Sequence, residues 1–359
     1  VVMSLYVVLG GAHADILTDT LQGCVMAVIA LVIAWLFWRG AGVDGGFAGM
    51  MAQLRAVGGD YLAALNPALA LTGSPWALVA MVIAYVPFGL LPHLGNKIWA
   101  LREERQSRLF VALAFALALV FPLATFGGLL ARAVFADAPG QFDAGANTVI
   151  PALFIEVLRA WLAALLGAGG LSAIMCTADG LVIASSQVFA NDIYRRSIAP
   201  RLHPGRDATA LDATVLRISR VASALTMLVA AVIAWLTLDM NIVLITWMGI
   251  GGLIAAIGAP LVLGVFWQRA TRRGALAGLV TGAVAFIVLH AGLLPALPGS
   301  AGPPGDAWQW LRAQQPNPYA CAAIGELLAL AVAIAVALAE HRGSQVRPAA
   351  DSGPGGRHC

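Results

Sequence analysis

Eight stretches of this sequence are continuous enough in apolar residues to cross the hydrocarbon core of a bilayer as helix, which takes about 20 residues. They cover 20–38, 76–96, 109–132, 158–189, 214–238, 242–267, 274–295 and 318–339. A closed β-barrel would instead alternate apolar and polar residues in segments of about ten. These runs do not alternate, so a barrel is excluded. Val1 to Leu9 is a shorter apolar run that reads as the end of a helix. The expected architecture is an all-α polytopic membrane protein with about eight full transmembrane helices plus a partial one. A transmembrane domain over 1–340 is followed by a polar tail, 341–359, that reads as disordered.

Composition agrees. Only 11% of the 359 residues are charged and 60% are apolar, whereas soluble domains carry about 25% charged residues. The four cysteines show no metal or disulfide spacing. Cys24, Cys176 and Cys321 lie in apolar spans and read as small buried hydrophobes; Cys359 ends the tail. Nothing resembles a phosphate-binding loop or a nucleic-acid motif.

Basic residues set the orientation. Sixteen of the 21 fall on alternate connections: Lys97 to Arg108, Arg195 to Arg220, Arg269 to Arg273, and the tail. Those connections and the 10–19 turn are expected to be cytoplasmic. The 39–75, 133–157 and 296–317 loops then face outward. Apolar pieces of the 39–75 loop read as short interfacial helices, with Met50 and Met51 as packing residues. Trp308 and Trp310 suit the interfacial belt. Val1 is not an initiator, and no signal peptide precedes the first run. Upstream helices are therefore expected to be missing from the sequence.

Three segments could carry chemistry. The long helix from Trp161 to Tyr194 clusters small residues around Gly167 to Ala173, which permits close helix packing. Cys176, Thr177, Asp179, Ser185, Ser186 and Gln187 follow. The carbonyl of Ala173 and the hydroxyl of Thr177 are four residues apart, on one helix face, and are hard oxygen ligands suited to Na⁺. Alternatively, such hydroxyls bond backbone carbonyls while helices pack. Asp179, an acid inside an apolar run, tilts the balance toward function. In the second segment, Pro87, Gly89 and Pro92 break a span, as in helices that line a transport cavity, with Tyr85 and Phe88 as its wall. A proline kink in a packed helix is the alternative. His93 reads as a capping or interfacial residue. In the third, Gly10 and Gly11 read as a tight turn, with Thr18 or Asp19 capping the next helix.

These residues resemble the sodium/solute symporter family. Gly10-Gly11, Ala14, Thr18-Asp19 and Gln22 are similar to one of its signatures, and Ser172 to Tyr194 to a longer one. Pro92-His93 and the segment Gly264 to Gly278 match in order and spacing. Pantothenate and monocarboxylate carriers are the nearest subgroup. The resemblance implies a LeuT-like fold of two inverted five-helix repeats, with binding at the membrane midplane. Repeat two would occupy about 76–267, and the span at 20–38 would close repeat one. It also implies a sodium site at the Ala173 carbonyl, Cys176 (a serine in most members) and the Thr177 hydroxyl. A substrate cavity at Tyr85, Pro87, Phe88 and Gly89 goes with it. Cys176 departs from the pattern, because sulfur is a soft ligand that suits Na⁺ poorly. Without the opening helix of repeat one, half of the binding site is expected here.

The reading is a secondary active transporter, not an enzyme, in the bacterial cytoplasmic membrane with its C-terminus inside. Its partners would be the lipid bilayer, a small organic solute bearing a carboxylate, and Na⁺ as coupling ion, with a proton as the alternative. Asp179 would tune the field or relay a proton. No other cofactor and no nucleic acid is expected. The alternatives are a truncated, transport-incompetent fragment and the membrane sensor module of a signalling protein.

Overall fold

The computed structural model describes residues 2–56, 63, 65–66, 71–99, 101, 103–136, 146–205, 207–295 and 303–345. Among these residues there are helices and turns but no strand. Hydrocarbon offers the backbone no hydrogen-bond partner, so each spanning segment must close its own bonds as helix. The helices are α1 (Val2–Arg39), α2 (Gly46–Ala56), α3 (Pro75–Tyr85), α4 (Pro92–Trp99), α5 (Glu104–Val120) and α6 (Phe126–Val134). They continue with α7 (Val149–Val157), α8 (Ala160–Gln187), α9 (Ala199–Leu202), α10 (Ala208–Leu236), α11 (Ile242–Phe266), α12 (Arg272–His290), α13 (Pro303–Ala313) and α14 (Pro318–Gln345).

Seven described helices are long and apolar enough to cross a membrane. The expected span at 76–96 is not one of them. It is divided into α3, a 3-10 turn over Phe88–Leu90, and α4. A second proline, Pro122, tightens the chain into 3-10 geometry between α5 and α6. The loop segment 46–56 is helical as expected, with Met50 fully buried; residues 57–62, 64 and 67–70, in the other apolar piece of that loop, lie outside the described residues. Helix α14 runs past Glu340 to Gln345, and the rest of the tail lies outside the described residues.

Three expectations are corrected. Gly10 and Gly11 form no turn, because α1 passes through them unbroken. Each glycine costs a helix about 1 kcal/mol, less than leaving backbone groups unpaired in hydrocarbon. Thr18 and Asp19 therefore sit mid-helix with no terminus to cap. Cys24 is exposed rather than buried. Its neighbour Val25 points at α8, and successive helical side chains diverge by about 100°. His93 is buried, 9% exposed, rather than interfacial.

The chain divides into two compact units: Val1–Ala63 with Pro92–Asn241, and Ala64–Leu91 with Ile242–Cys359. In the first, α1 lies along α8. A methyl built on Gly169 would come within 2.7 Å of both Val25 and Ile29, so only glycine lets these helices approach so closely. Ile33 of α1, Phe154 of α7 and Leu166 of α8 extend that core. Leu36, Met50, Leu130 and Leu153 form another, joining α1, α2, α6 and α7.

The second unit is built on an interlock. Gly274, Gly278 and Gly282 recur every fourth residue on α12, facing Ala329, Ala333 and Ala337 of α14. A methyl on Gly274 would lie 2.7 Å from the Ala333 carbonyl, and one on Gly278 would lie 2.9 Å from that of Ala329. On Gly282 it would overlap the Ala255 carbonyl of α11. Gly251 and Gly252 of α11 receive the ring of Phe286.

Gly282→Ala should therefore destabilise this unit by on the order of 1–3 kcal/mol, the usual cost of overpacking. Gly264→Ala, with open space around it, should be neutral or stabilise by up to about 1 kcal/mol. Thermal unfolding of the two variants in detergent checks both outcomes.

Candidate cation and substrate sites

The residues expected to hold a cation lie on α8 in the first unit, and those expected to wall a substrate cavity lie in the second. Helix α8 is positioned by Gly169 against α1 and by a Ser219 to Ser186 hydroxyl contact of 3.3 Å with α10. Just beyond this region, Val188–Ile198 widens into a π-helix, a rare geometry that is frequent at functional sites. It contains Asn191 and Asp192, near the end of the family-like segment Ser172 to Tyr194. Asp192 pairs with Arg196 at 3.2 Å, and Arg195 reaches Asp212 of α10 at 3.1 Å. A groove of about 770 Å³ runs along this segment beside α10, lined by Phe189, Ile193, Val221 and Leu225. Ser185 lines it, but none of the residues expected to bind cation or solute does.

The polar residues of α8 divide by what their side chains do. Ser185 donates to the Leu181 carbonyl at 2.9 Å and Ser186 to that of Ile183 at 2.9 Å, the packing behaviour of helical hydroxyls. Thr177 differs. It is exposed, and among the described residues its hydroxyl has no hydrogen-bond partner, although the Ala173 carbonyl lies one turn away. Ala173 and Cys176 are half-buried. At about 100° per residue, Ala173 lies between Thr177 and Cys176 around the helix, and Asp179 follows beyond Cys176. Asp179 is fully buried, 0% exposed, so it is turned into the first unit while Thr177 is turned out of it. The helix thus brings Ala173, Cys176 and Thr177 together and sets Asp179 apart from Thr177.

In the second unit α3 ends where Pro87 cannot continue it. The backbone groups this frees are recovered locally: Val86 N–H donates to Ile83 O at 3.0 Å, Leu90 N–H to Pro87 O at 2.9 Å, and Leu91 N–H to Phe88 O at 3.2 Å. Leu91 is extended, as a residue before proline must be. Pro87 is buried against Gly258 of α11, where a methyl would lie 2.9 Å from its ring.

The break carries an aromatic cluster. Tyr85 lies 5.6 Å from Phe88, 5.0 Å from Trp247 and 6.2 Å from Tyr319, centroid to centroid. Trp247 and Tyr319 are 3.9 Å apart and each 6% exposed, whereas Tyr85 is 48% exposed. Gly89 is exposed with open space around it. Tyr85, Pro87 and Phe88 are thus assembled at one broken helix, supported by two aromatics absent from the sequence expectation. A surface of this kind offers ring faces and a phenol to a solute, apolar on one side and polar at the tip.

Glu326 was also missed. Its carboxyl lies over Gly258, where a methyl would be 3.3 Å from Oε1. An acid inside the apolar run 318–339 is the same signal that singled out Asp179.

A sequence profile described as "Sodium:solute symporter family" matches residues 1–282. The chain belongs to the sodium:solute symporter family, whose members are transporters, and it is a multi-pass membrane protein. It is 27% identical over 293 residues to the sodium/pantothenate symporter of Haemophilus influenzae, covering 80% of this chain and 56% of that protein. With the sodium/pantothenate symporter of Escherichia coli it is 27% identical over 304 residues, again 80% and 56%. The high-affinity proline transporter PutP of Bacillus subtilis is 26% identical over 301 residues, 81% and 58%. The chain spans little more than half the length of these relatives. Among solved structures, the substrate-bound, outward-open state of a Na⁺-coupled sialic acid symporter superposes with a TM-score of 0.62 at 19% identity. That match covers 94% of this chain and 65% of the other. It establishes the fold as LeuT-like.

Trp247→Ala should lower the stability of the second unit by on the order of 3–5 kcal/mol, as large aromatic truncations do. Gly89→Ala should leave it within about 0.5 kcal/mol. Thermal unfolding followed by tryptophan emission separates the two.

Proposed function

We propose that this chain works in secondary active transport, an inward sodium gradient driving the uptake of a small organic solute. The observation that carries the reading is the Thr177 hydroxyl, exposed and without a hydrogen-bond partner among the described residues, one helical turn from the Ala173 carbonyl. Two hard oxygens on one face are what a sodium ion needs from a helix, and neighbouring serines spend theirs on the backbone. Family membership and the sodium symporters among the relatives support the same reading. Cys176, the third member of the group, offers a soft sulfur where an oxygen would bind the ion better. Asp179, buried beside it, sets the local field or relays a proton.

The solute is a carboxylate. Pantothenate, proline and sialic acid, named for the relatives and the structural neighbour, all bear one. The break at Tyr85, Pro87, Phe88 and Gly89 supplies its wall. The protein resides in the bacterial cytoplasmic membrane with its C-terminus inside, supported by the placement of 16 of 21 basic residues on one set of connections.

The test is uptake by proteoliposomes with a panel of labelled carboxylates under a sodium gradient. At least one member should accumulate with sodium and not with potassium; equal uptake in both salts contradicts the proposal. Thr177→Ala should abolish the sodium dependence while shifting stability by no more than about 0.5 kcal/mol. Cys176→Ser should raise the apparent sodium affinity, read as a lower half-saturating concentration.

A further inference from the structure

Glu326 lies in the wrong company. On α14 the packed face reads Ala322, Gly325, Glu326, Ala329, Ala333 and Ala337, small residues that let α11 and α12 approach. One long acid interrupts that stripe. It is 7% exposed, and among the described residues its Oε2 is buried without a hydrogen-bond partner and the side chain makes no ion pair. The space for it comes from the absent side chain of Gly258 on α11, and the same gap receives the ring of Pro87. The carboxyl therefore sits against the broken helix from within.

Among the described residues no counter-charge faces it. Helix α11 contains no titratable residue, and α3 contributes only Tyr85. Helix α12 has Arg272 and Arg273 at one end and His290 at the other. On α14 itself, Tyr319 and Cys321 lie toward the start, and Glu340, His341 and Arg342 lie near the far end. There Glu340 is paired with Arg273 at 3.2 Å, and His341 meets the Arg269 carbonyl at 3.1 Å. An ionised carboxylate stripped of water and partner is very costly, and a proton removes the charge at once. A hard metal ion would need several oxygen ligands, and the alanine, glycine and proline side chains around Glu326 supply none.

We propose that Glu326 is a proton-binding site: its carboxyl is protonated while packed between α11 and α14, and it gives the proton to water when the segment around Pro87 moves off it. In the step, the carboxylate oxygen takes a proton from hydronium, forming the carboxyl O–H as one hydronium O–H bond breaks to leave water; the reverse step returns the proton to water as hydronium. This rests on the transport reading only for its consequence, that a proton accompanies the solute through the cycle.

Infrared pH-difference spectra of the protein in lipid test the site without transport. A protonated-carboxyl stretch should persist at pH values where free glutamate, with a pKa of about 4.3, is ionised. It should vanish in Glu326→Gln and reappear shifted in Glu326→Asp; a spectrum unchanged by Glu326→Gln overturns the proposal. Proteoliposomes with an internal pH dye then test the consequence. Wild type should acidify during solute uptake, and Glu326→Gln should lose that acidification to background while still taking up solute. Equal acidification in both overturns the coupling. If wild type takes up no solute, the transport reading fails and the infrared band alone decides the proton site. Glu326→Asp, which keeps the acid, shows whether any loss comes from misfolding instead.

Discussion

Two helices in lipid gain little from the hydrophobic effect when they touch, because the lipid chains they leave are as apolar as their own side chains. What holds them is close contact, and close contact requires that something be missing. In the first unit that something is the side chain of Gly169, which admits Val25 and Ile29 of α1. In the second it is the row Gly274, Gly278 and Gly282, which admits α14, and Gly251 with Gly252, which admits Phe286. The position of each candidate site follows. Gly169 sets the rotation of α8 that buries Asp179 and turns Thr177 outward, and Gly258 leaves the gap that Pro87 and Glu326 share.

The break at Pro87 shows how irregular backbone survives in such a setting. Its freed groups are recovered within a few residues by 3-10 bonds, and its proline ring is anchored in the gap beside Gly258. Tyr85, Phe88, Trp247 and Tyr319 then form one aromatic surface on the break. Trp247 and Tyr319 also belong to the packed core of this unit, with Phe88 against it.

Much of the fold was legible because the membrane reduces the question to length and polarity. Seven spans, the division of the eighth at Pro87, and the small-residue packing of α8 all follow from the sequence. Gly10-Gly11 misled because glycine pairs mark turns in water, whereas in hydrocarbon the helix tolerates them to keep its backbone bonded. The π-helical widening at Val188–Ile198 has no compositional mark, since it depends on how the chain past Gln187 meets α10. Trp247 and Tyr319 were hidden because they reach Tyr85 only through tertiary packing. Glu326 was visible in the sequence, but only the stripe of small residues around it shows how unusual its position is.

Helix α8 thus presents an exposed Thr177 hydroxyl one turn from the Ala173 carbonyl, and the other unit carries a broken helix with an aromatic cluster; the proposed sodium-coupled symport would use both. The most direct test of that claim is electrical, on the reconstituted protein adsorbed to a solid-supported membrane. Adding a zwitterionic solute that bears a carboxylate, and so no net charge, should evoke an inward transient current in sodium and none in potassium, because the cation moves with the solute. A current of equal size in both salts would contradict the account.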